Sequence, residues 1–342
     1  MQTFLNGFFS RPIIATVIWG CFALFSLDTI AQTDSDSDER VVHISISVDW
    51  EGRVLDEADL FAMRIFRECV PHVPLTQFLN AAYYTKVGAD PEATTTAIRS
   101  VLLPIDELGL HIHPWRFLVE QSGVSVRSVP NLWGRHYVPT DPDQDYGHAV
   151  DISAYETEEL LLLVRTSSEI LEEAGFELSP SFRAGAWLAE PHVLQAVREE
   201  GFLIDSSATD HIWHDEIRSA PLWDRIDEVW PEITPESQPY LIETPAGPIL
   251  EMPDTGALAD YMTVDEMEQH IREAIDWLEL SDSDLYVHIG FHQETAADYA
   301  PNVLKVVLRL EADVSLPIVF ETLETAAEQA ADDLGFDGLF SP

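Results

Sequence analysis

The sequence predicts an α/β fold, a parallel sheet whose strands alternate with helices and which is either open or closed as a barrel. Three observations predict it. Short β-branched apolar runs alternate with amphipathic stretches of helical period from residue 41 to about residue 330, and such alternation builds parallel sheets. No internal repeat interrupts the pattern. Five of the strand-like runs end in groups able to do chemistry: Asp49 and Glu51; His111 and His113; Arg183; Asp205; His288 and His292. In a parallel barrel the loops after successive strands gather at one end, so those groups would meet.

The chain opens with Arg11, an apolar run from Pro12 to Leu27, and Asp28. Residues 1–31 therefore read as a signal peptide or an N-terminal membrane anchor, with attachment through residues 12–31, and either implies export to the cell envelope or beyond. Residues 32–40 are an acidic linker. A single domain then covers 41–335. Strands are expected at 41–48, 75–78, 107–113, 178–183, 202–205, 240–244, 249–252, 285–291 and 317–320. Helices are expected at 57–70, 91–103, 156–175, 190–200, 264–278 and 323–331, with one more between 294 and 316. Residues 116–152 and 209–240 carry Trp, Tyr and His among Pro and Gly without period, which marks them as functional loops.

Charge narrows the function. Lys and Arg number 18 against 61 Asp and Glu, a formal net charge of −43, and the lysines are Lys86 and Lys305 alone. Such a chain does not bind nucleic acid. Hydrophobic residues at 46% and nine tryptophans indicate a packed protein with an acidic skin, not disorder. That skin repels itself in dilute buffer and is relieved at molar salt, where the screening length is roughly 3 Å. A halophilic source is the expectation.

The histidine pair carries the most chemistry. In an extended chain residues i and i+2 face the same way, so His111 and His113 would present two imidazoles to one point. Two imidazoles suit a divalent metal, zinc first, that takes a carboxylate as a further ligand. Asp49 and Glu51 share the same spacing and offer it.

Taken in order, these segments resemble the polysaccharide deacetylase superfamily, the family 4 carbohydrate esterases and other proteins with a NodB homology domain. The resemblance covers residues 41–330. It implies a distorted (β/α) barrel with a divalent metal held by an acid and two histidines. Ser47-Val-Asp49-Trp50-Glu51 resembles the first motif, implying Asp49 as general base and Glu51 as metal ligand, or the reverse. Glu107-Leu-Gly-Leu-His111-Ile-His113-Pro114 resembles the metal-histidine motif, with a shorter spacing than the family's His-x-x-x-His. Ser181-Phe-Arg183-Ala-Gly-Ala-Trp187 resembles a divergent third motif in which Arg183 orients the base and Trp187 walls the pocket. Asp205 of the fourth motif would polarise the catalytic histidine, supplied by His292, with His288 the other choice. Trp50, Trp115 and His288 complete the expected substrate pocket, and the two irregular loops form its cleft.

The resemblance implies a metal-dependent hydrolase that removes an N-acyl, normally N-acetyl, group from a polysaccharide or glycan. The alternatives are hydrolysis of another non-peptide C–N bond, in a formamide or cyclic imide, and a catalytically inactive carbohydrate-binding protein of the cell envelope.

Overall fold

The structure is a computed structural model and describes residues 40–134, 143–336 and 338–340. The expected signal or anchor at 1–31 and nearly all of the linker lie outside the described residues. No described helix is long and apolar enough to cross a membrane.

The described strands are β1 (Val42–Asp49), β2 (Thr76–Leu79), β3 (Glu107–Ile112), β4 (Ser181–Ala184), β5 (Ile204–Asp205), β6 (Tyr240–Thr244), β7 (Gly247–Glu251), β8 (Leu285–His292) and β9 (Ile318–Glu321). They form one curled sheet in the order β6-β7-β5-β4-β3-β2-β1-β8, with β9 paired to β1 off that path. Every pairing is parallel except β6 with β7. The helices are α1 (Glu57–Cys69), α2 (Ala82–Thr85), α3 (Pro91–Arg99), α4 (Arg116–Gln121), α5 (Thr157–Glu173), α6 (Pro191–Glu199), α7 (Pro221–Val229), α8 (Val264–Leu278), α9 (Ala296–Glu311) and α10 (Leu323–Asp333).

β1 is the axis of the sheet. Its C-terminal half pairs with β2, its N-terminal half with β9, and its whole length with β8. Alternation sorts its side chains by face. Val42, Ile44, Ile46 and Val48 are fully buried apolar residues, while His43, Ser45, Ser47 and Asp49 form a buried polar column on the other face. At the foot of that column His43 bonds Glu321 and Asp284 and stacks on Tyr286. At its head stands the site.

The curled sheet is not closed by strands alone. After β7, residues 253–259 run up against β8: the Gly256 amide donates to the His288 carbonyl (2.8 Å) and the Ala259 amide to that of Gly290 (2.7 Å). A Cβ on Gly256 would lie 2.4 Å from the His288 oxygen, so only glycine allows this approach. Lower down, the Gln238 side chain takes the place of a strand, accepting from the Tyr286 amide (2.9 Å) and donating to its carbonyl (3.3 Å).

Element bounds depart from the expected ones for local reasons. The helix expected to reach residue 103 stops at Arg99, because Pro104 disfavours helical backbone at Leu103. β4 starts at Ser181, three residues late: Pro180 has no amide to give, and its carbonyl instead accepts from Leu203 and Ile204. The segment 209–240 is less irregular than expected. It holds a 3-10 turn (His211–Ile217) and α7, whose Pro221 sits at the first helical position, where a missing amide costs nothing.

Candidate active site

The C-terminal ends of β1, β3, β4 and β8 bring together Asp49, Glu51, His111, His113, Arg183 and His292. Glu51 Oε2 lies 3.0 Å from His113 Nε2, and its Oε1 lies 3.5 Å from His111 Nε2 and 3.6 Å from His292 Nε2. The ligating atoms of Glu51, His111 and His113 all lie within 4.8 Å of one another, as the shortened spacing requires of the two imidazoles.

Each imidazole is fixed by its far nitrogen. His111 Nδ1 donates to the Arg183 carbonyl (2.9 Å) and His113 Nδ1 to the His148 carbonyl (2.8 Å). A carbonyl only accepts, so Nδ1 carries a proton, and in the neutral ring the lone pair is then on Nε2. Both Nε2 atoms are buried without a hydrogen-bond partner. Two buried lone pairs beside a carboxylate, each imidazole braced by a backbone carbonyl, fit the donor set that a divalent metal takes.

The cradle of His113 is tight. A Cβ on Gly185 would meet both Cε1 and Nδ1 of that ring at 2.7 Å and the Ile112 carbonyl at 2.7 Å. Gly185→Ala is expected to displace the ring and weaken metal binding by about 10–100-fold, the size of effect seen when a supporting contact of a ligand is lost. Competition with a chelator at fixed metal would measure it.

Arg183 is completely buried and spends all five of its N–H groups. Its Nη1 donates to Asp49 Oδ1 (2.9 Å) and Ser47 Oγ (2.8 Å), its Nε to the Ser206 carbonyl (2.8 Å), and its Nη2 to Ser206 Oγ (2.8 Å) and His288 Nδ1 (2.9 Å). It therefore sets the position of Asp49. An arginine bonded to Nδ1 also leaves His288 as an acceptor, and burial together with this cation pushes its pKa well below the ordinary value. His288 lies beneath the site and does not line the cleft, contrary to its expected place in the pocket.

The other histidine does face the cleft. His292 Nδ1 lies 3.1 Å from Asp260 Oδ2, which leaves Nε2 toward Glu51. Burial opposes its charged form, but Asp260, Glu51 and Asp49 outweigh that and push its pKa up to about 10. Its carboxylate partner is thus Asp260, not Asp205. Asp205 sits lower, accepting from Ser207 (2.7 Å) beside the Glu251 carboxyl, and burial of this acid pair raises both carboxyls. β5 is only two residues long and ends beneath the site, whereas the segment that carries Asp260 passes along β8. Sequence reasoning missed Asp260, and also the buried Asp254. The latter accepts from Trp187 Nε1 (2.8 Å) and has its pKa raised by burial to about 6. The one signal was for Asp254, which stands just after a strand.

A cleft opens over these groups. Trp187 walls it, on a turn where Ala186 and Trp187 both adopt left-handed backbone (φ 59° and 61°). Trp230 Nε1 bonded to the Trp187 carbonyl and Trp187 Nε1 bonded to Asp254 hold that strained turn. Trp50 and Trp115 are not in the cleft. Trp50 points to the opposite face from Asp49 and Glu51 and donates to Gln77, and Trp115 donates to the Glu51 carbonyl, supporting the ligand from behind. Of the two irregular loops, Leu132, Trp133, His148 and Ala149 from the first and Leu222 from the second line the cleft. Residues 135–142 lie outside the described ones.

The architecture defines a fold class: this chain has a NodB-like fold, the fold of solved proteins assigned as polysaccharide deacetylases. It is similar to a protein assigned as a polysaccharide deacetylase from Mycobacterium smegmatis, at 14% identity over 90% of this chain and 96% of that one, with a TM-score of 0.50. An assigned polysaccharide deacetylase from Pseudomonas aeruginosa PAO1 gives 15% identity, 88% and 93% coverage and a TM-score of 0.49. Puue allantoinase gives 13%, 86% and 91%, and 0.47. No family model and no curated protein matches the sequence.

Proposed function

We propose that this chain is an exported, metal-dependent hydrolase that removes an N-acyl group, N-acetyl in the first instance, from a glycan. The observation that carries the reading is the pair of buried, unpartnered Nε2 atoms facing Glu51, beside Asp49 and His292. Glu51, His111 and His113 would hold the metal, and zinc is the natural choice for two imidazoles and a carboxylate. Such an ion supplies Lewis acidity toward a carbonyl oxygen and toward water.

The protein's own groups do the rest. Asp49, held by Arg183, accepts the proton of the water that adds to the acyl carbon. His292, held by Asp260, gives a proton to the nitrogen as the C–N bond breaks. The products are a carboxylic acid and an amine, with no covalent enzyme intermediate. Asp49 and His292 suit this division because they are paired in register on adjacent strands and so share one side of the cleft. The walls formed by Trp187, Trp133 and Tyr261 offer faces on which a sugar ring can stack. Export rests on the N-terminal sequence.

The test is metal content and acid release together, on protein purified at molar KCl. Wild type is expected to hold one zinc and to release acetate from N-acetylated oligosaccharides. His111→Ala should lose both. Asp49→Asn should keep the metal and lose about 10²–10⁴-fold in turnover, the contribution of a general base. Full activity in Asp49→Asn, or a wild type that takes up no metal, sinks the reading. Metal retained with turnover of only a formamide or cyclic imide would move the substrate to those C–N bonds. Metal retained with no turnover would favour a non-catalytic carbohydrate-binding protein.

A further inference from the structure

Cations are scarce in this chain, and where the described ones stand is informative. Arg64, Arg67, Arg127, Arg165, Arg225 and Arg309 each meet a carboxylate. Arg99 and Arg198 bond backbone carbonyls and Lys305 bonds Asn302, while the Arg53 side chain meets no carboxylate within ion-pair distance among the described residues, although acids outnumber Lys and Arg by 61 to 18. It is exposed, and it lines the cleft two residues beyond Glu51.

The acids around it are already committed. Asp49 is taken by Arg183, and Glu51 faces the histidine pair. Glu294 accepts at Oε1 from the backbone amides of Arg53 (2.6 Å) and Val54 (3.2 Å), with Tyr83 Oη 3.1 Å away. The same contacts make the turn rigid. Gly52 before it has φ +77°, and a Cβ there would lie 2.8 Å from that of Ala82, so the backbone of Arg53 is pinned on both sides. The result is a fixed platform that presents to the cleft a guanidinium in no ion pair, one that feels the Glu294 carboxylate at longer range. A guanidinium offers a planar fork of donors that matches a carboxylate.

The acidic shell does not oppose this. At molar salt repulsion beyond roughly 3 Å is screened out, so direct contact decides which ligand is accepted.

We propose that the substrate carries a carboxylate within one sugar ring of the scissile amide, and that Arg53 recognises it. The amide part rests on the N-acyl hydrolase reading, while recognition of the acid is tested by binding alone. The probes are N-acetylglucosaminuronic acid and its C6 amide, titrated into the zinc-loaded chain in KCl and read by tryptophan fluorescence. Wild type is expected to bind the acid about tenfold more tightly, the worth of one charge-assisted hydrogen-bonded contact. Arg53→Gln should remove that difference and Arg53→Lys should restore part of it. Equal binding of acid and amide by wild type overturns the proposal. So does a preference that survives in Arg53→Gln, since the metal would then be its source. Binding with the expected preference but without acetate release from any glycan would fail the hydrolase reading and leave this one standing. If neither probe binds, this proposal fails, and the hydrolase reading is still decided by metal content and acetate release.

Discussion

Arg183→Met is expected to cost about 3–5 kcal/mol of folding stability, the range for removing one partner from a buried ionic network. The side chain it removes is completely buried and satisfies Ser47, Asp49, Ser206 and His288 at once. Methionine has comparable length, so the loss is chiefly electrostatic: a buried Asp49 without its cation, Asp254 without the same guanidinium 3.8 Å away, and four acceptors without donors. Arg183→Lys keeps the charge, but an ammonium has three donors where five are used, so it should recover only part of the stability. Arg198→Met is the control. That arginine is only partly buried and gives one bond from Nε to the Pro248 carbonyl, so its loss should cost about 1 kcal/mol. Urea unfolding at fixed molar KCl measures all three. A penalty for Arg183→Met no larger than that for Arg198→Met would show that the network is not a keystone of the fold. If the variant does fold, Asp49 has lost its orienting partner and turnover should fall as in Asp49→Asn.

The same network marks how far the sequence could be read. The strand ends at Asp49, His111, Arg183 and His292 were legible because each closes an alternating run, and parity alone brings residues i and i+2 to one side. Parity also constrains Trp50. If Asp49 and Glu51 face the site, Trp50 between them cannot, and it is indeed buried on the other face against Gln77. Asp260 was not legible. Its segment has no strand period, and it reaches His292 only because Gly256 lets the backbone run against β8. Asp205 shows the complementary limit: a strand ending in an acid predicts a group near the site, but not its depth, and β5 ends one layer too low. The ambiguity between His288 and His292, equally spaced for one face of β8, required the third dimension. Arg183 occupies one of them from below, and the cleft opens on the other.

The surface leads to the other large expected effect. Raising KCl from 0.1 M to 2 M should raise the melting temperature by about 10 °C or more, with most of the gain complete by about 1 M. Two like charges 10 Å apart in water repel by about 0.4 kcal/mol. With a net charge of −43, tens of such pairs fall within a screening length of about 10 Å at 0.1 M and outside one of roughly 3 Å at 1 M. Unfolding spreads the charges apart, so the repulsion weighs on the folded state and its removal stabilises that state. A net 7 kcal/mol corresponds to about 10 °C for a chain of this size. The shape of the curve separates this cause from salting-out of apolar surface, which strengthens steadily with salt and is greater for sulfate than for chloride. Melts in KCl and in potassium sulfate at matched ionic strength should therefore superimpose below about 1 M and diverge above it. A melting temperature unchanged between 0.1 M and 1 M KCl would mean that bound cations or local pairing already neutralise the surface, and the halophilic expectation would fall with it.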